Sequence, residues 1–212
     1  MKLIEPKVEI LTDIDEEKVI TDLAKVARTC YKSEDKSTYE NDVKLLSNII
    51  KSGHEAMIEF FDITVKFTCS RAVSQMIIRH RIASFAQESQ RYCNYSWGKF
   101  NNEVQFIKPI WYTPGSTAAY KFNMACEQSE KNYFSLLGEG LKAEDAREVL
   151  INATKTEINV KFNLREWRHF FKLRCNNAAH PELRKLTIPL LIDFNKRLPI
   201  IFNDLYEKYC KQ

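Results

Sequence analysis

The stretch "RHRIASFAQESQRY", residues 79–92, holds three arginines, a histidine and two serines directly behind the apolar run "MII". Arginine presents a planar fork of donors that suits phosphate and carbonyl groups. Successive residues at a helix end point about 100° apart, so Arg79, His80 and Arg81 cannot form one charged stripe. Each must meet a different group. A solvated basic turn would need no such divergence, whereas a multiply anionic ligand wrapped around the segment would use it. Ser84 and Ser89 add hydroxyls, and Gln87 adds an amide. Ser89 as a nucleophile would need an activating base within reach, and no Ser/His/Asp spacing supplies one. The reading favours a hydroxyl that holds phosphate. His80 reads as a donor to a bound cofactor rather than a general base, and it lacks a partner at metal-ligand spacing.

A second cluster lies on "NLREWRHFFKLR". Arg165 and His169 are one turn apart and share a helix face. Arg174 falls instead on the side of Trp167 and Phe171, where an arginine is rarely found without a partner. Asn163 followed by Glu166 three residues on has the pattern of a capping box. A third element, "GHEAMIEF" (53–60), supplies His54 and Glu59.

These clusters need rigid supports. "KVEILTD" (7–13) alternates and predicts a short strand, and "DEEKVITDLAKVARTCY" and "YENDVKLLSNIIKSG" predict helices, the second stopped at Gly53. "FFDITVKFTCS" (60–70) is the strongest strand candidate, being β-branched, aromatic and alternating. "RAVSQMIIRH" is helical, so the cationic motif begins at a helix end and runs into a loop, where binding residues collect on rigid supports. "VQFIKP" (104–109) and "ATKTEINVKF" read as extended. The long helix beginning "STAAYKFNMACEQ" has Tyr120, Met124, Tyr133, Phe134 and Leu137 as buried candidates, and "AEDAREVLI" is a short helix. Pro181 and Pro199 sit near the starts of two further helices, and Pro189 should kink the first of them.

At 212 residues, 44% hydrophobic and 28% charged, the chain fits a single globular domain over 1–212. A net charge of +4 is too weak to argue for a nucleic-acid partner. No apolar run has the ~20 residues of a membrane span, and the N-terminal segment turns acidic before a signal-peptide core develops. A cytoplasmic location is expected. The six cysteines are scattered without CxxC spacing and read as reduced thiols. The sequence has no GxGxxG, Walker loop, HExxH or GxSxG, so any redox cofactor is bound outside the Rossmann solution.

The segment Arg79-His80-Arg81, then Ser89 after seven residues, then Arg91-Tyr92, resembles the signature of the flavin-dependent thymidylate synthases. "GHEAMIEF", "DAREVL", "NLREWRHFFKLR" and "AAHPELR" extend the resemblance in order along nearly the whole chain. The resemblance implies an α+β fold with a central, mostly antiparallel sheet flanked by helices. It further implies a homotetramer whose active sites are built where subunits meet. The implied reaction converts dUMP to dTMP, with methylenetetrahydrofolate as one-carbon donor and FAD, reduced by NADPH, as hydride carrier.

By position, the resemblance puts His54, Ala56, Glu59, Arg79, His80, Arg81, Gln87, Asn163, Arg165 and His169 at FAD. It puts Met76, Arg79, Gln87, Glu88, Ser89, Gln90, Arg91, Arg147 and Arg174 at the nucleotide, with Ser89 and Arg91 towards its phosphate. Arg174 matches the arginine that polarises the uracil and is the catalytic candidate. No metal is implied. Met76 stands where many relatives carry Gln or Glu, Ala56 where Ser or Thr is common, and Ala86 where some have Asn. A non-catalytic flavin- or nucleotide-binding homologue is the alternative, and the intact arginine set argues against it.

Overall fold

The structure, a computed structural model, describes residues 1–211 and is α+β. Its strands are β1 (Lys2–Ile4), β2 (Lys7–Ile10), β3 (Asp62–Ser70), β4 (Ser84–Gln87), β5 (Gln105–Ile107) and β6 (Lys155–Asn163). Its helices are α1 (Glu16–Thr29), α2 (Tyr39–Lys51), α3 (Arg71–Ile77), α4 (Thr117–Gly138), α5 (Ala143–Ala146), α6 (Leu164–Arg174), α7 (Pro181–Arg197) and α8 (Pro199–Cys210). Short 3-10 turns cover Glu34–Lys36, Glu55–Phe60, Gly98–Phe100 and Arg147–Val149. The main sheet has the order β2-β3-β6-β4, and β1 pairs with β5 in parallel, Leu3 opposite Phe106. β3 and β6 run antiparallel, because the ion pairs Lys66–Glu157 and Lys161–Asp62 step in opposite directions along them.

By internal packing the chain resolves into two compact units. One comprises 1–7, 66–79 and 85–159; the other comprises 8–65, 80–84 and, of the described residues, 160–211. Both long strands contribute residues to each. The first unit is organised around Tyr95, Val104, Phe106, Cys126, Tyr133 and Ala146, with Phe100, Phe122 and Phe134 packed against them. Tyr133 is fully buried as the sequence indicates, but Tyr120 and Met124 are 64% and 51% exposed. The inward face of α4 is carried by Ala119, Cys126, Ser129 and Tyr133, at spacings of seven, three and four, so three small residues and Tyr133 mark it rather than Tyr120 and Met124.

The second unit is built on a run of aromatics. Trp167, Phe170 and Phe171 of α6 are fully buried with Phe194 of α7 and Phe202 of α8. Trp167 lies 5.1 Å from Phe194, and Phe171 lies 5.2 Å from Phe194 and 5.8 Å from Phe202, mostly edge to face. The Trp167 indole N–H is satisfied by the Ile63 carbonyl at 3.0 Å. α1 and α2 are linked by a buried ion pair, Arg28 to Asp42 at 2.7 Å. Helix α7 continues through Pro189.

Local signals account for most boundaries. Asp15, Thr38, Ser70, Ser116 and Asn163 each cap a helix by accepting a backbone N–H with the side chain. Two strands escape the sequence reading. β1 is three residues long, too short to show a period, and β4 falls inside the expected loop although Ser84 to Gln87 alternate exposed and half-buried.

Candidate active site

The cationic motif starts just past α3, whose last helical residue is Ile77. Its residues diverge as expected: Arg79 and Arg81 are exposed, while His80 is buried at 4% exposure. In the unit that contains β4 and α4, Gln87 donates its amide to Ser74 at 3.0 Å and to Thr156 at 3.2 Å. Glu88 turns inward, accepting from Lys155 at 2.8 Å and from the Tyr95 hydroxyl at 3.4 Å. Burial works against the charge of Lys155, yet its bonds to Glu88 and Glu157 hold its pKa above the ordinary lysine value. The carboxylate expected at the nucleotide also braces the chain that leads into Ser89.

Ser89 sits in a tight turn, its hydroxyl accepting the Arg91 N–H at 3.3 Å and its carbonyl accepting from Tyr92 and Cys93. Gln90 is half-buried beside it. Arg91 reaches Glu144 at 3.1 Å, and Arg147 donates to the Glu144 carbonyl at 3.0 Å. Two arginines that are far apart in sequence therefore meet on one residue. Arg91 is 53% exposed in this pair, which an arriving anion can displace at little cost. Met76 is half-buried on α3.

In the other unit, a cleft of about 460 Å³ is lined by Glu55, Glu59, Ile82, Asn163, Arg165, Glu166, His169 and Lys172. Its size is that of a small-molecule site. Four of the ten residues expected at FAD, Glu59, Asn163, Arg165 and His169, line it. They come from the 3-10 turn at 55–60 and from the start of α6, brought together by the pair Arg165–Glu59 at 2.5 Å. His54 and Ala56 are exposed at the beginning of that turn and do not line the cleft. The turn is anchored by Arg168, almost wholly buried, which bonds Glu55 at 2.8 Å and Asp204 at 2.7 Å and also donates to the Ile201 carbonyl. The lining combines the donors Asn163, Arg165, His169 and Lys172 with three carboxylates, Glu55, Glu59 and Glu166, and one exposed apolar side chain, Ile82. Arg165 and Lys172 are paired with Glu59 and Glu55, so a flavin nucleotide would bind here by taking over donors from these exposed pairs.

Beneath the cleft, His80 Nδ1 lies 2.8 Å from a Glu166 carboxylate oxygen, and Arg174 Nε donates to His80 Nε2 at 3.1 Å. Burial lowers the His80 pKa, and Arg174 and His169 lower it further, outweighing the raising pull of Glu166. Both ring nitrogens of His80, the residue expected to meet the cofactor, are bonded to protein groups in this structure. Glu166 itself was hidden by a local signal. Its backbone N–H is capped by Asn163 at 2.8 Å, one arm of the capping box, but its carboxylate goes to His80, 86 residues away. Lys172 and Glu55 were likewise unmarked in the sequence, since a single charge on a helix or turn carries no signal by itself.

Residues 12–200 match the family model described as thymidylate synthase complementing protein. A flavin-dependent thymidylate synthase of Geobacter sulfurreducens is 36% identical over 194 residues, 86% of this chain and 80% of the relative. The chain belongs to this family. A relative of the same description in Clostridium tetani is 32% identical over 88% of this chain and 80% of its own length. Another, in Pyrococcus abyssi, is 36% identical over 74% of this chain and 65% of its own length. In fold, the chain resembles a UMP/dUMP methylase, PolB of Streptomyces cacaoi, solved with 5-Br dUMP. The TM-score is 0.78 over 99% of this chain and 98% of that one, at 23% identity.

Proposed function

We propose that this chain methylates dUMP to dTMP reductively, with methylenetetrahydrofolate as the one-carbon donor and FAD, reduced by NADPH, as the hydride carrier. Membership of the flavin-dependent family supports the reaction class. The observation that carries the cofactor reading is the cleft in which Glu59, Asn163, Arg165 and His169 converge. Flavin, when bound, supplies the hydride. The protein's own residues bind, orient and polarise. Arg165, His169 and Asn163 hold the cofactor, with Arg79, Arg81 and the exposed His54 and Ala56 completing its surroundings. Ser89, Arg91 and Arg147 hold the nucleotide phosphate, with Gln87, Glu88, Gln90 and Met76 shaping the segment. Arg174 places a guanidinium against the pyrimidine, favouring negative charge on the ring and making C5 more nucleophilic without a covalent enzyme adduct. Preorganised charge of this kind is usually the largest catalytic contribution.

A homotetramer, its active sites drawing on more than one chain, belongs to the same reading. Ile110, Trp111, Tyr120 and Met124, all more than half exposed, offer apolar surface for such contacts. The six cysteines are all free, which suits the reducing cytoplasm where we place the enzyme. The decisive experiment is spectroscopic. With dioxygen excluded, purified protein should carry or take up flavin whose absorbance is bleached by NADPH and restored only when dUMP and methylenetetrahydrofolate are both present. Protein that cannot take up FAD would sink the reading, and flavin reoxidation indifferent to dUMP would leave a non-catalytic binder.

A further inference from the structure

The protons in the triplet Glu166, His80 and Arg174 can be assigned by elimination. A guanidinium only donates, so His80 Nε2, which meets Arg174 Nε at 3.1 Å, must be an acceptor and carries no proton. The ring proton is therefore on Nδ1, where it is donated to Glu166 at 2.8 Å. The imidazole is neutral and in one tautomer. The ring is also fixed in space: it lies 4.9 Å edge-on from Phe170, 5.9 Å from Phe162 and 5.7 Å from His169. The side chains of His80 and Glu166 are only 3% and 9% exposed, so water does not compete for this bond.

We propose that Glu166 is a positioning residue for Arg174. By accepting the Nδ1–H of His80 it holds the ring in the tautomer whose Nε2 receives the Arg174 Nε–H, and so fixes the aim of the guanidinium. The inference rests on the role given to Arg174 and deepens it. A metal reading of the neighbouring atoms is weaker. His80, Glu166 and His169 bring ligand atoms within 4.8 Å of one another, but both nitrogens of His80 are already engaged and a guanidinium faces the ring. A cation placed there would be repelled by Arg174. The tautomer of a histidine is commonly set by the partner of its other nitrogen, and loss of such supporting contacts costs about 10- to 100-fold in activity at metal sites.

The chain has four histidines, so selective 15N labelling of their imidazoles gives a readable spectrum in which His80 is assigned by its loss in His80→Asn. The unmodified enzyme should show His80 as the Nδ1–H tautomer. Glu166→Leu, which has no acceptor, should admit the Nε2–H tautomer and lower kcat for dTMP formation at least about tenfold, with a smaller change in KM for dUMP. Glu166→Gln retains an amide oxygen that can accept the Nδ1–H, and should keep the tautomer and recover most of kcat. Flavin content and circular dichroism should match the unmodified enzyme in both. An Nε2–H tautomer in the unmodified enzyme overturns the proposal, as does a kcat within about twofold in Glu166→Leu, or a fall in kcat with the tautomer unchanged. Turnover retained in Arg174→Ala would instead remove the reading on which the proposal stands. Turnover lost there but intact in Glu166→Leu would sink only the positioning role.

Discussion

In the reaction proposed above, Arg174 is the residue that polarises the pyrimidine. Half-buried and held by its bond to His80, its guanidinium is preorganised rather than recruited during the reaction. Arg174→Ala should abolish dTMP formation while the flavin stays bound, since removing a preorganised donor typically costs about 2.7–4 kcal/mol in the transition state. The check is product formation alongside flavin absorbance, and near-normal turnover would take Arg174 out of the mechanism. Arg91 should behave differently. It is exposed and held by Glu144 and the Tyr92 ring, so Arg91→Ala should raise KM for dUMP tenfold or more, about 1.4 kcal/mol, with flavin content unchanged. A KM that does not move would show that phosphate is held elsewhere.

At the scale of elements, α6 links the core to the site. One face, Trp167, Phe170 and Phe171, is fully buried among aromatics, and the adjoining face carries Arg165 and His169 into the cleft. Burying the first therefore positions the second. Phe171→Ala should destabilise the protein by roughly 3–5 kcal/mol in urea unfolding, the range for large-to-small changes in a packed core. Leu173→Ala, on the 47% exposed side of the same helix, should stay within about 0.5 kcal/mol. Equal effects would mean that the aromatic face does not hold the helix. Much of this element is legible in sequence: the aromatic spacing gives the buried face, and Asn163 gives the start. The destination of Glu166 is not, because a capping box and a long-range ion pair begin from the same residue types.

At the scale of the molecule, Arg168 joins the 3-10 turn at 55–60, α6 and α8 within one unit, through Glu55 and Asp204. Burial raises the pKa of both carboxyls, but the bonds from Arg168 outweigh it and hold each below its ordinary value of 4.5 or 3.8. The unfolded chain therefore binds protons that the folded chain refuses. The stability from this network is fully present above about pH 5 and is lost as pH falls through and below the ordinary carboxylate range of about 4. Urea unfolding measured between pH 3 and pH 7, with Glu55→Gln as the comparison, should show a shallower acid decline in the variant. Identical pH profiles would remove Glu55 from the acid response.

The helices, the two long strands, the family signature and the two clusters of cations are legible in the sequence, because period, capping and spacing are properties of neighbouring residues. The sequence also indicated that Arg174 requires a partner. The fold supplies His80 as a partner. It placed His80 inside the protein with both nitrogens engaged, turned Glu88 to Lys155 and Glu166 to His80, and left Tyr120 and Met124 outside. The physical reason is common to these cases: a polar side chain that leaves water must find its partner wherever the fold brings one, and here that is as far as 94 residues away along the chain.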